Sequence, residues 1–209
     1  MSLSRVDERD IYVILLKNHL ELGTTEDDCV GPNITIRREL INEVHNEFLG
    51  FGGHNSVAQF IKEIKLGMVS FDHYPVVFEG VRRDNFYANL EDVAAESKKA
   101  GVPFWAFSLS TAHDPYPVAN RGAMRLQIFT NLAYGAQGIQ YFTYTSPGTE
   151  TWNFHNAPID ANSQRTEVWD RVAEINHEVQ TLKDVFLGAE MIKVRHTGEN
   201  IPAQTVALA

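Results

Sequence analysis

Gly67–Val77, GMVSFDHYPVV, decides how this chain is read. It opens as an apolar run, which suits a buried parallel strand. It then ends abruptly in Asp72, His73, Tyr74 and Pro75. In parallel α/β folds the carboxyl ends of the strands form the ligand face. A polar, aromatic and titratable cluster at a strand end is therefore the first place to look for chemistry. The plain alternative is a strand running into a proline-terminated turn.

Working outward, strands alternate with helices. Ile11–Leu16, IYVILL, reads as a buried strand, and Lys17–Asn33 as a polar loop. Ile36–Leu49 carries Leu40, Ile41, Val44, Phe48 and Leu49 at helical spacing. FGGHN at 51–55 breaks it, and Asn55 or Ser56 is placed to cap a helix over Val57–Ile64. After the opening strand, Asn85–Ala100 is helical, with Gly101 where a C′ glycine belongs. Pro103–Ser110 is a strand, Gly122–Gly135 a helix, Gly138–Thr145 a strand and Gln164–Phe186 a long helix. Met191–His196 reads as a last strand before a tail of weak signal.

This alternation is the mark of βα units and a parallel sheet. The fold class is α/β, a parallel (β/α) barrel of TIM type to which this chain supplies about four βα units. Residues 1–187 form the barrel portion, and 188–209 form a C-terminal strand and tail or the start of a following β domain. A full barrel takes about 250 residues. The half is completed by a second copy or by a missing barrel half, and a smaller open sheet is the alternative.

Composition narrows the partners. With 18 basic and 27 acidic residues the net charge is −9, and no basic cluster offers a footprint for nucleic acid. Cys29 is the single cysteine, which excludes an intramolecular disulfide and speaks against a cysteine-based zinc site. No apolar run is long enough to span a bilayer, so no membrane partner is expected. The start, MSLSRVDERD, carries no secretory signal. The compartment is cytoplasmic if the chain is complete, and periplasmic or secreted if it belongs to a longer parent. No cofactor is expected. Twelve Phe, seven Tyr and three Trp can build a core or platforms for sugars.

The order of motifs resembles the C-terminal half of the glycoside hydrolase family 42 β-galactosidases. In that family strand six ends in a Trp-Asp-x-Tyr-Pro-like motif, which Phe71, Asp72, His73, Tyr74 and Pro75 resemble. A helix ending Ala-x-Gly-Ala-x-Gly leads into strand eight, and Ala133, Gly135, Ala136 and Gly138 fit. The strand itself resembles Tyr/Phe-Phe-x-Trp-Arg, with Tyr144 and Thr145 in place of Trp-Arg. Glu150 and His155 resemble the Glu and His of the following loop. The resemblance covers residues 67–187 and makes Ile11–Leu16 strand five.

It implies a carbohydrate ligand and glycoside hydrolysis. Such enzymes use two carboxylates, about 5 Å apart in retaining members. The acid/base belongs to strand four, which this mapping places outside the chain. The nucleophilic Glu belongs shortly after Pro-Phe on strand seven, where Ser108 stands here. A serine without an adjacent base is a poor nucleophile. The alternatives are therefore a glycosidase with carboxylates from elsewhere and a non-catalytic carbohydrate-binding relative.

Asp72 and Glu150 are the candidate catalytic carboxylates. His73, Tyr74, Ser108, His113, Tyr144, Trp152, His155 and Asn156 are the candidate substrate-binding residues. Adjacent residues on an extended segment point to opposite faces, so only one of Asp72 and His73 faces the mouth. Trp152 offers a ring to stack on a pyranose, with His155 and Asn156 as hydrogen-bonding neighbours. A third alternative, a metal-dependent barrel hydrolase, would gather His73, His113, His155 and Asp72, but no HxH or HExxH spacing supports it.

Overall fold

The computed structural model describes residues 54–64, 67–147 and 152–208. The expected strand Ile11–Leu16, the expected helix Ile36–Leu49 and the candidate Glu150 lie outside the described residues. The chain divides into two compact units, residues 1–66 and 67–209. In the first, helix α1 spans His54–Ile64. Asn55 and Ser56, offered as caps, fall within that span.

The second unit runs β1 (Val69–Phe71), β2 (Val76–Val77), β3 (Gly80–Val81), α2 (Arg83–Ala100), β4 (Phe104–Leu109), α3 (Arg121–Ala133), β5 (Gly138–Phe142), α4 (Glu167–Thr181) and α5 (Lys183–Phe186). Strands β1, β4 and β5 form a parallel sheet in that order. Each is joined to its neighbour through a helix, as βα units require. The apolar run that opens at Gly67 yields only three residues of this sheet. Asp72–Pro75 leave the ladder, and Val76–Val81 fold back as an antiparallel hairpin pairing Val76 with Val81 and Val77 with Gly80.

Strand alternation gives the sheet two unlike faces. Phe104, Ala106 and Ser108 lie on one face, where all three are buried. Ser108 is in register with Tyr141, whose hydroxyl donates to Asn176 Oδ1 of α4 at 2.6 Å. That contact identifies this face as the one packed against helices. The other face carries Ser70, Trp105, Phe107 and Gln140, all at least partly exposed. There Ser70 Oγ donates to Gln140 Oε1 at 2.8 Å, reaching over the middle strand. A Cβ on Gly138 would sit 2.6 Å from the Trp105 indole, so glycine is required where that ring lies over β5.

Helix patterns and caps explain the rest. Phe86, Leu90, Val93, Ala94 and Ser97 form the buried stripe of α2. Gly101 ends it in the left-handed region at φ 70°, the conformation that favours glycine. Asn120 caps α3 through a bond from Ala123 N at 2.9 Å. The expected helix Gln164–Phe186 starts later because Asp160 Oδ1 holds the N–H groups of Asn162 and Gln164 in a turn. Thr166 then caps α4 by accepting from Val168 N. Arg121 bridges to Glu174 at 2.8 Å, and Arg125 pairs with Glu178, tying α3 to α4. Asn131 bonds the Phe107 carbonyl, and Gln137 bonds the Phe186 carbonyl. These polar groups therefore buttress the fold.

Met191–His196 forms no regular strand. His196 makes an isolated bridge to Ala207, and the tail is held by polar contacts. Lys98 pairs with Glu190 at 2.8 Å, and Ala203 N donates to Asp84 Oδ1 at 2.9 Å. Among the described residues no helix is long and apolar enough to cross a membrane.

Candidate binding site at the strand ends

The carboxyl ends of β1, β4 and β5 lead into three loops that are bonded to one another. Ser110 N and Thr111 N both donate to the Phe142 carbonyl, and both hydroxyls donate to the Thr143 carbonyl. Ala112 and His155 exchange backbone hydrogen bonds at 3.0 Å in each direction. Asp114 N donates to the Trp152 carbonyl at 3.2 Å. Phe78 N, at the tip of the β2–β3 hairpin, donates to the Pro115 carbonyl at 3.2 Å. The loop after β4 is thus held by its neighbours on both sides. The Asp114–Pro115 and Phe142–Thr143 peptides in this region are cis.

An aromatic cluster fills the junction. Tyr74 meets Tyr116 edge-on with centroids 5.7 Å apart, and Phe142 at 6.2 Å. His113 packs against Tyr116 at 4.9 Å, Phe142 at 5.7 Å and Phe154 at 4.7 Å. Burial raises the Tyr74 phenol above the usual tyrosine range, and the nearby Asp72 charge, to which it also hydrogen-bonds, raises it further. Tyr74 therefore stays protonated and donates to the Asp72 carboxylate. Asp72 itself is exposed.

His73 turns the other way. Asn89 Nδ2 of α2 lies 2.6 Å from His73 Nδ1, and the ring packs against Phe86. Burial lowers its pKa, opposed by Asp72 and assisted by Arg82. Of the adjacent pair, Asp72 goes with the loop cluster and His73 serves the sheet–helix junction. His113 and His155 each place Nδ1 on a backbone carbonyl, of Thr111 at 3.1 Å and of Asn153 at 2.6 Å. A carbonyl only accepts, so both Nδ1 atoms carry protons, which leaves Nε2 as the second ring nitrogen.

Ser108 lies apart from these loops' side chains. It is 0% exposed on the helix-packed face, and among the described residues its hydroxyl has no hydrogen-bond partner. Tyr144 is placed apart as well, edge-on to Trp169 of α4 at 5.8 Å, and Arg165 lies over the other ring of that stack at 4.4 Å. Trp152 stands at the rim, 56% exposed, and Asn156 is half-buried in a left-handed conformation at φ 49°.

Asp72, Tyr74, His113, Trp152 and His155 thus come together by loop bonding and ring contacts, and His73, Ser108 and Tyr144 do not join them. Tyr116, Phe142, Phe154 and Phe78 belong to the same neighbourhood. Their signal in the sequence is the density of aromatic residues at and after the strand ends. Among the described residues no three His, Cys, Asp or Glu side chains come together as a metal site. The histidines offered for one diverge, His73 towards α2.

A profile of the glycoside hydrolase 42 family, described as beta-galactosidase, matches residues 30–182. The chain is similar to beta-galactosidase BgaB of Geobacillus sp. (strain Y412MC61), 24% identical over 192 residues, covering 88% of this chain and 26% of the relative. The Geobacillus kaustophilus beta-galactosidase matches with the same figures. The chain thus spans about a quarter of the length of the curated relatives it matches. Among solved structures it is similar to a beta-galactosidase from the psychrophilic Marinomonas ef1, with 18% identity and a TM-score of 0.45 over 68% of this chain and 24% of that one. A beta-galactosidase from the Antarctic haloarchaeon Halorubrum lacusprofundi matches at 22% identity and a TM-score of 0.42, covering 55% of this chain and 20% of that one.

Proposed function

The chain belongs to glycoside hydrolase family 42, the beta-galactosidase family, and from that membership we propose that it binds a galactoside-type carbohydrate at the carboxyl ends of β1, β4 and β5. Residues 1–187 supply about four βα units of a (β/α) barrel, and residues 188–209 lead out of it. The single observation that carries the reading is the bonding of three consecutive strand-end loops into one aromatic and polar surface. Convergent rings with a few fixed polar groups are what sugar recognition needs. Asp72 accepts from sugar hydroxyls, held in place by Tyr74. His113 and His155 accept at Nε2, and Trp152 stacks on the ring, with Asn156 beside it. The exposed face of Ser70, Trp105, Phe107 and Gln140 is the barrel interior that the remaining strands cover. Those strands come from a second copy or from a missing barrel half.

Hydrolysis is a separate step. Two carboxylates must flank the scissile bond, and Ser108 supplies none. The described mouth offers Asp72 and, one strand on, the exposed Asp114. Glu150 remains a candidate by its place in the loop after β5. The burial of Ser108 favours a chain that binds sugar and does not by itself cleave it. Calorimetric titration with galactose, beside turnover of a nitrophenyl β-galactoside, separates the readings. Binding without turnover is the expected result. Turnover abolished by Asp72→Asn would place catalysis in this chain, and absence of any binding would overturn the reading.

A further inference from the structure

The chain after α5 runs back along α2 as a strap, and its contacts descend that helix in order. Near the C-terminal end of α2, Lys98 pairs with Glu190 at 2.8 Å and donates to the Met191 carbonyl at 3.3 Å. Midway, the His196 ring meets Tyr87 edge-on with centroids 4.7 Å apart. At the N-terminal end, Arg83 Nη2 donates to the Asn200 carbonyl at 3.3 Å, and Asp84 Oδ1 accepts from Ala203 N at 2.9 Å. The strap then doubles back. His196 N donates to the Val206 carbonyl at 2.9 Å, and Leu208 N donates to the His196 carbonyl at 2.8 Å. The helix and both limbs of the strap therefore meet at His196.

A directed chain of protons passes through this residue. Tyr134 is 1% exposed and gives its single hydroxyl proton to Glu91 Oε1 of α2 at 3.0 Å. His196 Nε2 lies 2.9 Å from the same phenol oxygen, so Nε2 is the donor of that bond. Burial, then the bond to Glu91, raises the Tyr134 phenol above the usual tyrosine range, which keeps its proton in place.

We propose that residues 188–209 form a strap that mild acid releases from α2, with His196 as its catch. Among the described residues, Tyr87, Glu91 and Arg83 of α2 and Tyr134 after α3 face the ring, and Arg125 of α3 lines the same groove. Arg195 is the charged neighbour in the chain. Burial lowers the pKa of the docked ring, opposed by Glu91 and assisted by Arg83. Release returns the ring to the ordinary 6.5. The released strap thus binds more protons between the lowered value and 6.5, and docking weakens as pH falls through that window. The anchor at Glu190 does not share this response, because Lys98 holds that carboxyl below the usual carboxylate range. Release therefore leaves the strap tethered at its start and uncovers the groove beside Tyr87 and Phe129.

Amide hydrogen exchange on the full chain tests this, read as protection factors at about pH 7.5 and about pH 5.5. The amides of His196, Ala203 and Leu208 each donate a hydrogen bond in the docked strap. His196→Gln keeps a donor and does not titrate. Between the two pH values, protection at these amides is expected to fall several-fold more in the wild type than in His196→Gln, up to about tenfold. No such excess is expected at Gly188, whose N–H is held by Gln137 Oε1. An equal fall in the two proteins, an excess confined to the His196 amide, or the same excess at Gly188 overturns the proposal. An NMR titration of the wild-type His196 ring gives a check that needs no variant. Its midpoint is expected below 6.5, and a midpoint at or above that value also overturns the proposal.

Discussion

Tyr141 and Asn176 are joined by a 2.6 Å hydrogen bond from phenol to amide oxygen, which fastens β5 to α4. The phenol is buried, and burial raises its pKa well above the usual tyrosine range. The bond also fixes which face of the sheet meets the helices. Tyr141→Phe would strand the amide oxygen of a residue whose Nδ2 already lacks a partner among the described residues. The expected cost is about 1–3 kcal/mol, read as a lower urea midpoint, with sugar binding unchanged.

Ser108 lies in register with Tyr141 on that same face. Its hydroxyl is buried and, among the described residues, unpaired, so Ser108→Ala is expected to leave stability unchanged or raise it by up to about 1 kcal/mol. Sugar affinity should not move. Ser108→Glu places a carboxylate in a packed layer without a counter-charge, and a loss of about 3 kcal/mol or more is expected in the same denaturation assay. A Ser108→Ala variant with weakened sugar binding would show that this residue reaches the ligand after all.

His73 and Asn89 set a pH dependence. Asn89 donates to Nδ1, so that nitrogen must be unprotonated, and burial lowers the ring's folded-state pKa below the ordinary 6.5. Between the lowered value and 6.5 the unfolded chain binds more protons, so stability rises with pH there. The contribution is full above that window and is lost as pH falls through it. Asn89→Asp would accept from a protonated Nδ1 and raise the pKa. Its thermal midpoint is expected to fall less than that of the wild type between about pH 7.5 and about pH 5.5. An identical fall in both proteins would show that the pair does not titrate.

Trp152 and Tyr144 follow the same strand but part company in the structure. Trp152 stands exposed at the rim, and Tyr144 packs on Trp169. Trp152→Ala is expected to weaken galactose binding about tenfold with little change in melting. Tyr144→Ala is expected to do the reverse, lowering the melting temperature and leaving affinity alone. Equal losses of affinity in the two variants would place both rings at the ligand.

Much of the second unit is legible in the residues themselves. The glycine after α2 is a local signal, and it falls where that helix ends. The opening stretch is harder. Val76 and Val77 look like a continuation of β1, yet they pair backwards with Gly80 and Val81, because apolar periodicity does not say which partner a strand takes. Asp72 and His73 show that alternation predicts opposite faces without choosing between them. The choice is made by Asn89 and Phe86, many residues away. Ser108 shows the same gap, since counting from Pro103 gives its position along the strand. Its face comes from the register with Tyr141 and the contact of Tyr141 with α4. The tail after Gly188 is held by single polar contacts to α2, which leave no period in the sequence.

The most direct test of a sugar site at the bonded strand-end loops is a map of backbone amide shifts on titration with galactose. Saturable shifts are expected at Tyr74, His113, Asp114, Trp152 and His155, with Ser108 and Tyr141 unmoved. Shifts confined instead to the groove between α2 and α3 lined by Tyr87, Phe129 and His196, or no shifts at all in a folded chain, would contradict it.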